Sequence, residues 1–163
     1  MQLRRTLATI TAVLALAAPL TSCGFDYATA REYTPAAGAN NRDGDVDVLS
    51  AVIVSGQEGS GTFVASLSNN LLEDDETRTL TSITGETDDV TVAEFEPVRI
   101  EPGALVNLAD PAAGITVEGD FESGDFVTLT LAFDSGERAE LNVPTVPNDT
   151  GVWEGLDVSG GSA

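Results

Sequence analysis

The chain has 163 residues, with 27 Asp and Glu against seven Arg, no Lys and no His, giving a net charge of −20 at pH 7. Nothing in it could neutralise a run of phosphates, which excludes nucleic acid as a natural partner. Without His or Lys, no Ser or Thr can be activated in the usual way near neutral pH, there is no glycine-rich phosphate loop, and a non-catalytic protein without cofactor or catalytic residues is expected.

The first element is a signal. Arg4 and Arg5 precede a 15-residue uncharged stretch, residues 6–20, of mostly Ala, Leu, Val, Ile and Thr. A spanning helix needs roughly 20 apolar residues, so this run has signal-peptide proportions. It leads into Leu20-Thr21-Ser22-Cys23, and Cys23 is the one cysteine of the chain. The stretch resembles a bacterial lipobox, which implies diacylglyceryl transfer to the Cys23 thiol and cleavage just before it. The competing reading is an ordinary secretory signal whose cysteine pairs with another chain. The spacing from Leu20 to Cys23 and the preceding apolar run favour lipidation. Two acyl chains, at ~0.8 kcal/mol per buried methylene, hold a protein on a bilayer where one would be marginal. The sequence after the arginine pair fits twin-arginine export poorly, so Sec export is expected, with the protein anchored on the outer leaflet of the cytoplasmic membrane.

Residues 1–22 are thus read as signal peptide and 23–45 as lipidated cysteine and tether. Residues 46–147 are read as one folded domain and 148–163 as a C-terminal tail. The mature part carries all 27 acids and five of the arginines, a net charge of about −22 (5 minus 27). An anionic membrane surface repels such a body, so the lipid holds the protein while its charge pushes the domain away. A well-solvated acidic surface is the plainer account of the same charge. With Cys23 acylated no disulfide can form within the chain, and packing alone must hold the core.

Residues 24–44 lack sustained apolar periodicity and are rich in Ala, Gly, Asn and Pro. As a flexible coil of about 20 residues they would reach roughly 25 Å. From residue 45 the pattern is β. Residues 46–55 (VDVLSAVIVS) are β-branched and apolar on both faces at their centre, as in a buried strand. Residues 61–70 (GTFVASLSNN) alternate, with Phe63, Ala65 and Leu67 on one face and Thr62, Ser66 and Ser68 on the other. Further strands are expected in TRTLTSI, in VTVAEF and PVRI interrupted at Pro97, in ALVNL and in ITVEG. The clearest hairpin places Val127, Leu129, Leu131 and Phe133 opposite Ala139, Leu141 and Val143 across the turn DSG. Short strands, Gly and Pro turns and no amphipathic helix predict an all-β sandwich. Trp153, in the tail, reads as a packing residue in preference to a ligand platform.

In order, the chain carries TFVASLSN, an acidic stretch before LTSI, IEPGALVNLADPAAGITV, SGDFVTLTLAFDSG and LNVPTV. This resembles the PCuAC-type copper chaperone domain, an immunoglobulin-like or cupredoxin-like sandwich, and more closely the divergent form in actinobacterial LpqE-like surface lipoproteins. The resemblance covers about residues 46–146. In copper chaperones of that family, His and Met ligands on neighbouring loops hold Cu(I), one of each after a Pro-Gly-Gly-like turn. That turn corresponds here to Pro111-Ala112-Ala113, and the ligand positions fall near Ile115 and Val117. Cu(I) selection requires sulfur or imidazole. The chain has no His, its one Met is Met1, and Cys23 is capped by lipid, so copper transport by this chain alone is not expected.

For hard cations, Asp43, Asp45 and Asp47 stand at alternate positions, with EDDE and TDD further on. They lack the loop spacing and terminal Glu of an EF-hand, and alternating acids equally suit a solvated strand edge; no metal site is assigned. A carboxylate pair for glycoside hydrolysis cannot be singled out among so many acids. The sequence therefore points to a membrane-anchored binding or accessory module for another envelope protein. The alternatives are a metal-homeostasis protein that relies on a partner's ligands, and a passive acidic surface protein.

Overall fold

A computed structural model describes residues 38–73, 76–149, 151–157 and 159, which fall in one compact unit, Ala36–Ala163. Cys23 and the signal lie outside the described residues. The strands in chain order are β1 (Ala39–Asn41), β2 (Val46–Gln57), β3 (Ser60–Asn69), β4 (Arg78–Gly85) and β5 (Thr91–Val92). They continue with β6 (Val98–Ile100), β7 (Leu105–Asn107), β8 (Thr116–Glu118), β9 (Phe126–Phe133) and β10 (Arg138–Pro147). A 3-10 turn, Gly151–Trp153, follows.

The strands form one continuous, curled arrangement in the order β5-β8-β3-β2-β10-β9-β4-β6, with β1 on β2 and β7 on β3. It is a β-sandwich because β10 serves both layers. Its first part, from Arg138 to Pro144, pairs antiparallel with β9. Its last three residues, 145–147, run parallel to Ile53, Val54 and Ser55 of β2. One side of the sandwich is closed by this shared strand. The other side ends in β5 on one layer and in β4 and β6 on the other, joined by residues 93–97.

Strand β2 explains why its sequence shows no clean alternation. Val46 and Val48 face the main core, and so do Ala51 and Ile53, one position out of phase. Between them the register with β3 slips from Leu49↔Ser66 to Val52↔Val64, and Ser50 takes φ 52°. This bulge inserts one residue and inverts the facing of everything after it. Val52 and Val54 are thereby sent to the outer face.

Two apolar clusters result. The main one lies between the layers and includes Phe63, Leu67, Leu80, Ile100, Ile115, Leu129 and Leu131. The predicted hairpin faces are both inside it: Val127, Leu129, Leu131 and Phe133 with Ala139, Leu141 and Val143. The smaller cluster joins Val52, Val54 and Val64 on the outer face of the first layer to Val146, Trp153 and Leu156. Trp153 is a packing residue there. Because residues 153–157 lie over this face, Thr62 is buried although it points away from the main core.

The fold reaches further toward the N-terminus than the sequence pattern indicates. Ala39–Asn41, placed in the tether above, pairs with β2 (Ala39↔Ala51, Asn41↔Val48) along the stretch of edge that β10 does not take. Gly38 is what lets the chain enter. Its φ is 107°, and a Cβ there would stand 2.5 Å from the Ser50 carbonyl carbon, so only glycine fits against the bulge. Polar residues carry the attachment, since Asn40 Oδ1 accepts the Ser50 N–H at 3.0 Å. That is why no apolar signal marks it.

Candidate functional site

The turn singled out by resemblance is tightly built. Asp110-Pro111 is a cis peptide, Ala109 and Ala112 form an isolated bridge, and Ala113 N–H donates to Leu108 O at 2.9 Å. Ala109 N–H donates to the Asn107 side-chain carbonyl at 2.9 Å. Just beyond, Ile115 and Val117 are fully buried. Beside the turn lies a cleft of about 240 Å³, lined chiefly by Pro97, Val98, Val106, Leu108, Pro111 and Ala112, with Glu96 and Asn107 as its polar groups. Carboxylate and amide oxygens are hard donors, and the remaining lining has no donor side chain. This set does not fit Cu(I).

Two of the carboxylates that might have made a hard-cation site, Asp45 and Asp47, are occupied with the fold. Asp45 is ion-paired with Arg78 at 2.7 Å, and Asp47 accepts from Asn70 Nδ2 at 2.8 Å. Asp43 turns its N–H to Asn41 Oδ1 at 3.2 Å. Glu137, in the β9–β10 turn, accepts the Asp45 and Val46 N–H groups at 3.0 and 3.5 Å, tying that turn to the start of β2. Of the acidic loop after β3, Asp74 and Asp75 lie outside the described residues. Among the described residues no three His, Cys, Asp or Glu side chains come together so as to hold a metal ion.

Two residues that pattern reading passes over organise their surroundings. Asn69, buried at the end of β3, donates to Glu76 O at 2.9 Å and Ile100 O at 3.2 Å and accepts the Leu71 N–H at 3.1 Å. It pins the acidic loop to β6. The signal for it was an Asn closing an alternating strand, a residue type that satisfies loop backbone. Asp157 is the second. It accepts Gly56 N–H at 2.7 Å, Thr62 Oγ1–H at 3.0 Å, and the Ser159 N–H and hydroxyl at 2.9 and 2.6 Å. Burial pushes its pKa up, but these bonds more than offset that and hold it below the ordinary carboxylate value. No spacing rule marks one Asp among 27 acids as the one that is bound.

A second concave surface lies at the unclosed side of the sandwich. Strand β6 pairs with β4 only from Arg78↔Ile100 to Leu80↔Val98. Continuing that register would set Pro97 opposite Thr81, where β4 itself bulges against β9 between Leu80 and Ser82. The ladder stops, and a groove of about 370 Å³ opens between Thr81, Ser82 and Ile83 on one side and Val92, Glu94 and Phe95 on the other.

No family model matches the sequence, and no curated protein does. Solved structures do. The apo PCuAC domain of PmoF2 superposes with a TM-score of 0.52 at 14% identity, over 68% of this chain and 97% of that domain. The copper-bound PCuAC domain from PmoF2 does so with a TM-score of 0.51 at 15% identity, over 66% and 97%. At that identity the likeness defines the fold: this is a PCuAC-like β-sandwich of the cupredoxin or immunoglobulin-like kind.

Proposed function

We propose that this chain is a lipid-anchored cell-envelope protein whose PCuAC-like sandwich serves as a non-catalytic binding or accessory module for another envelope protein. The observation that carries the reading is the cleft beside Pro111. A turn that resembles the copper turn of the family is lined here by Pro, Val, Leu and Ala, and the mature chain offers neither imidazole nor thioether. A sandwich that keeps the fold and lacks soft donors is suited to contact, with its charge selecting a basic surface. The signal and the Leu20-to-Cys23 motif supply the anchor, which places the domain outside the cytoplasmic membrane. A metal-homeostasis role that borrows a partner's ligands is the second reading, favoured by the likeness to a copper-bound domain.

In-cell crosslinking of the full-length lipidated chain, followed by mass spectrometry, tests the proposal. A form without residues 1–22, which therefore stays in the cytoplasm, is the control. One or two reproducible envelope partners absent from the control support a binding module. Only a scatter of abundant neighbours sinks it. A partner that brings copper into the complex would favour the second reading.

A further inference from the structure

We infer that the open side of the sandwich, the outer edge of β4 with the groove beside it, accepts an extended, basic segment of a partner protein as an added strand. The inference rests on the binding-module reading and names its surface. Glu86 N–H donates to Thr128 O at 3.1 Å, and the register runs on through Gly85↔Leu129, Thr84↔Thr130 and Ile83↔Leu131. Antiparallel ladders alternate, so Thr84 bonds inward to β9 while the N–H and C=O groups of Ile83 and Gly85 point outward. Among the described strands none pairs with β4 there. These are the groups that strand addition uses.

The groove also sets the side-chain pattern of the occupant. Ile83, Val92 and Phe95 give it an apolar floor and Glu94, exposed, stands on its rim. From residue 79 to residue 98 the chain carries five acids (Glu86, Asp88, Asp89, Glu94, Glu96) and no base. A strand with apolar residues at alternate positions and Lys or Arg between them meets both features. A second copy of this chain does not. From Gly38 onward it has 25 acids against four arginines, so two such edges repel.

The test uses a photo-crosslinking residue at position 82 of the full-length lipidated chain in cells, and the same residue at position 154, exposed in the segment that lies over the outer face of the other layer, as comparison. The expected result is an adduct from position 82 only. Its partner site should map to a segment alternating apolar and basic residues, and the adduct should weaken when Glu94→Arg is added. A partner captured from position 154 and not from 82 overturns the surface assignment and leaves the binding module standing. No partner from either position overturns both. Hydrogen exchange on the full chain in detergent supplies an independent readout, with an acetylated, amidated peptide of four Lys-Val repeats as probe. Exchange at residues 83 and 85 should slow about tenfold at ten times the peptide Kd, and a Glu-Val peptide should have no effect. Slowing spread evenly over the acidic surface, or none, overturns the proposal.

Discussion

The Asp157 carboxylate accepts the Thr62 hydroxyl at 3.0 Å, joining the C-terminal segment to β3 across the outer face of the first layer. The same carboxylate holds Gly56, and Asp157 N–H donates to Asn148 Oδ1 at 2.9 Å. Between these ties Trp153 and Leu156 cover Val52, Val54 and Val64. Asp157→Ala should release the segment and cost about 1–2 kcal/mol of stability, the worth of a few partly exposed hydrogen bonds to a charge. Trp153 is the one tryptophan, so a red shift of its emission, together with the denaturant midpoint, reports the release directly. Unchanged emission with lowered stability would mean that apolar contact alone holds the segment.

The same contact predicts a pH dependence. Asp157 has a folded pKa below its unfolded value, for the reasons of bonding given above. Its contribution is therefore present above the unfolded value, about 3.9, and is lost as pH falls through the folded one. Trp153 emission should stay constant from neutral pH down to about 4 and shift red below it, ahead of or together with global unfolding. Since the group is only part-buried, salt should weaken the effect. An emission change centred near pH 6 would contradict this account, because the chain has no histidine to titrate there.

Much of this architecture is legible in the sequence, and what is not has a definite cause. The β9–β10 hairpin follows from plain alternation, since each apolar residue named from it is buried. β2 breaks that rule because a bulge at Ser50 swaps its faces, and only the two-sided apolar run hints at it. β1 is invisible to apolar patterning, being Ala-Asn-Asn held by polar groups. The candidate site divides the same way. The lack of soft donors is written in composition, whereas the groove beside β4 depends on where β4 bulges and its pairing with β6 ends, which is a matter of register.

Gly38 offers a local test of β1. Gly38→Ala places a methyl against the Ser50 backbone in a left-handed conformation, a strain of order 1–3 kcal/mol. The strand Ala39–Asn41 should detach while the sandwich stays folded, so amide exchange should rise at residues 39–41 and 48–51 with little change in the unfolding midpoint. Gly124→Ala is the comparison, with a φ of 104° close to that of Gly38 but open space around the added methyl. Equal behaviour of the two would show that the backbone angle matters and the contact with Ser50 does not.

The core and the surface should answer differently to truncation. Phe63 is fully buried in the main cluster, and Phe63→Ala should cost about 3–5 kcal/mol, a large share of the roughly 5–15 kcal/mol of an ordinary domain. Leu72, 79% exposed, should change stability by no more than about 0.5 kcal/mol when replaced by Ala. Equilibrium unfolding in urea measures both. A small loss at Phe63 would mean that the layers close over the cavity, which would show as a preserved m-value and a shortened unfolding half-life.

Copper binding gives the sharpest contrast between fold and chemistry. The PCuAC-like sandwich is shared with a domain solved with copper, yet the lining beside Pro111 contains neither sulfur nor imidazole. Titration of the untagged protein with Cu(I) against a bicinchoninate competitor should therefore show no stoichiometric transfer, whereas a site with soft ligands would compete. The chain isolated from the cell envelope is the right material, since on the proposed reading its Cys23 is capped; the Cys23→Ala form should behave the same. Tight, stoichiometric transfer to the lipidated chain would overturn the donor-set argument. Transfer that appears only when an envelope partner is added would move the weight to the reading in which that partner brings the soft ligands and this sandwich brings the surface.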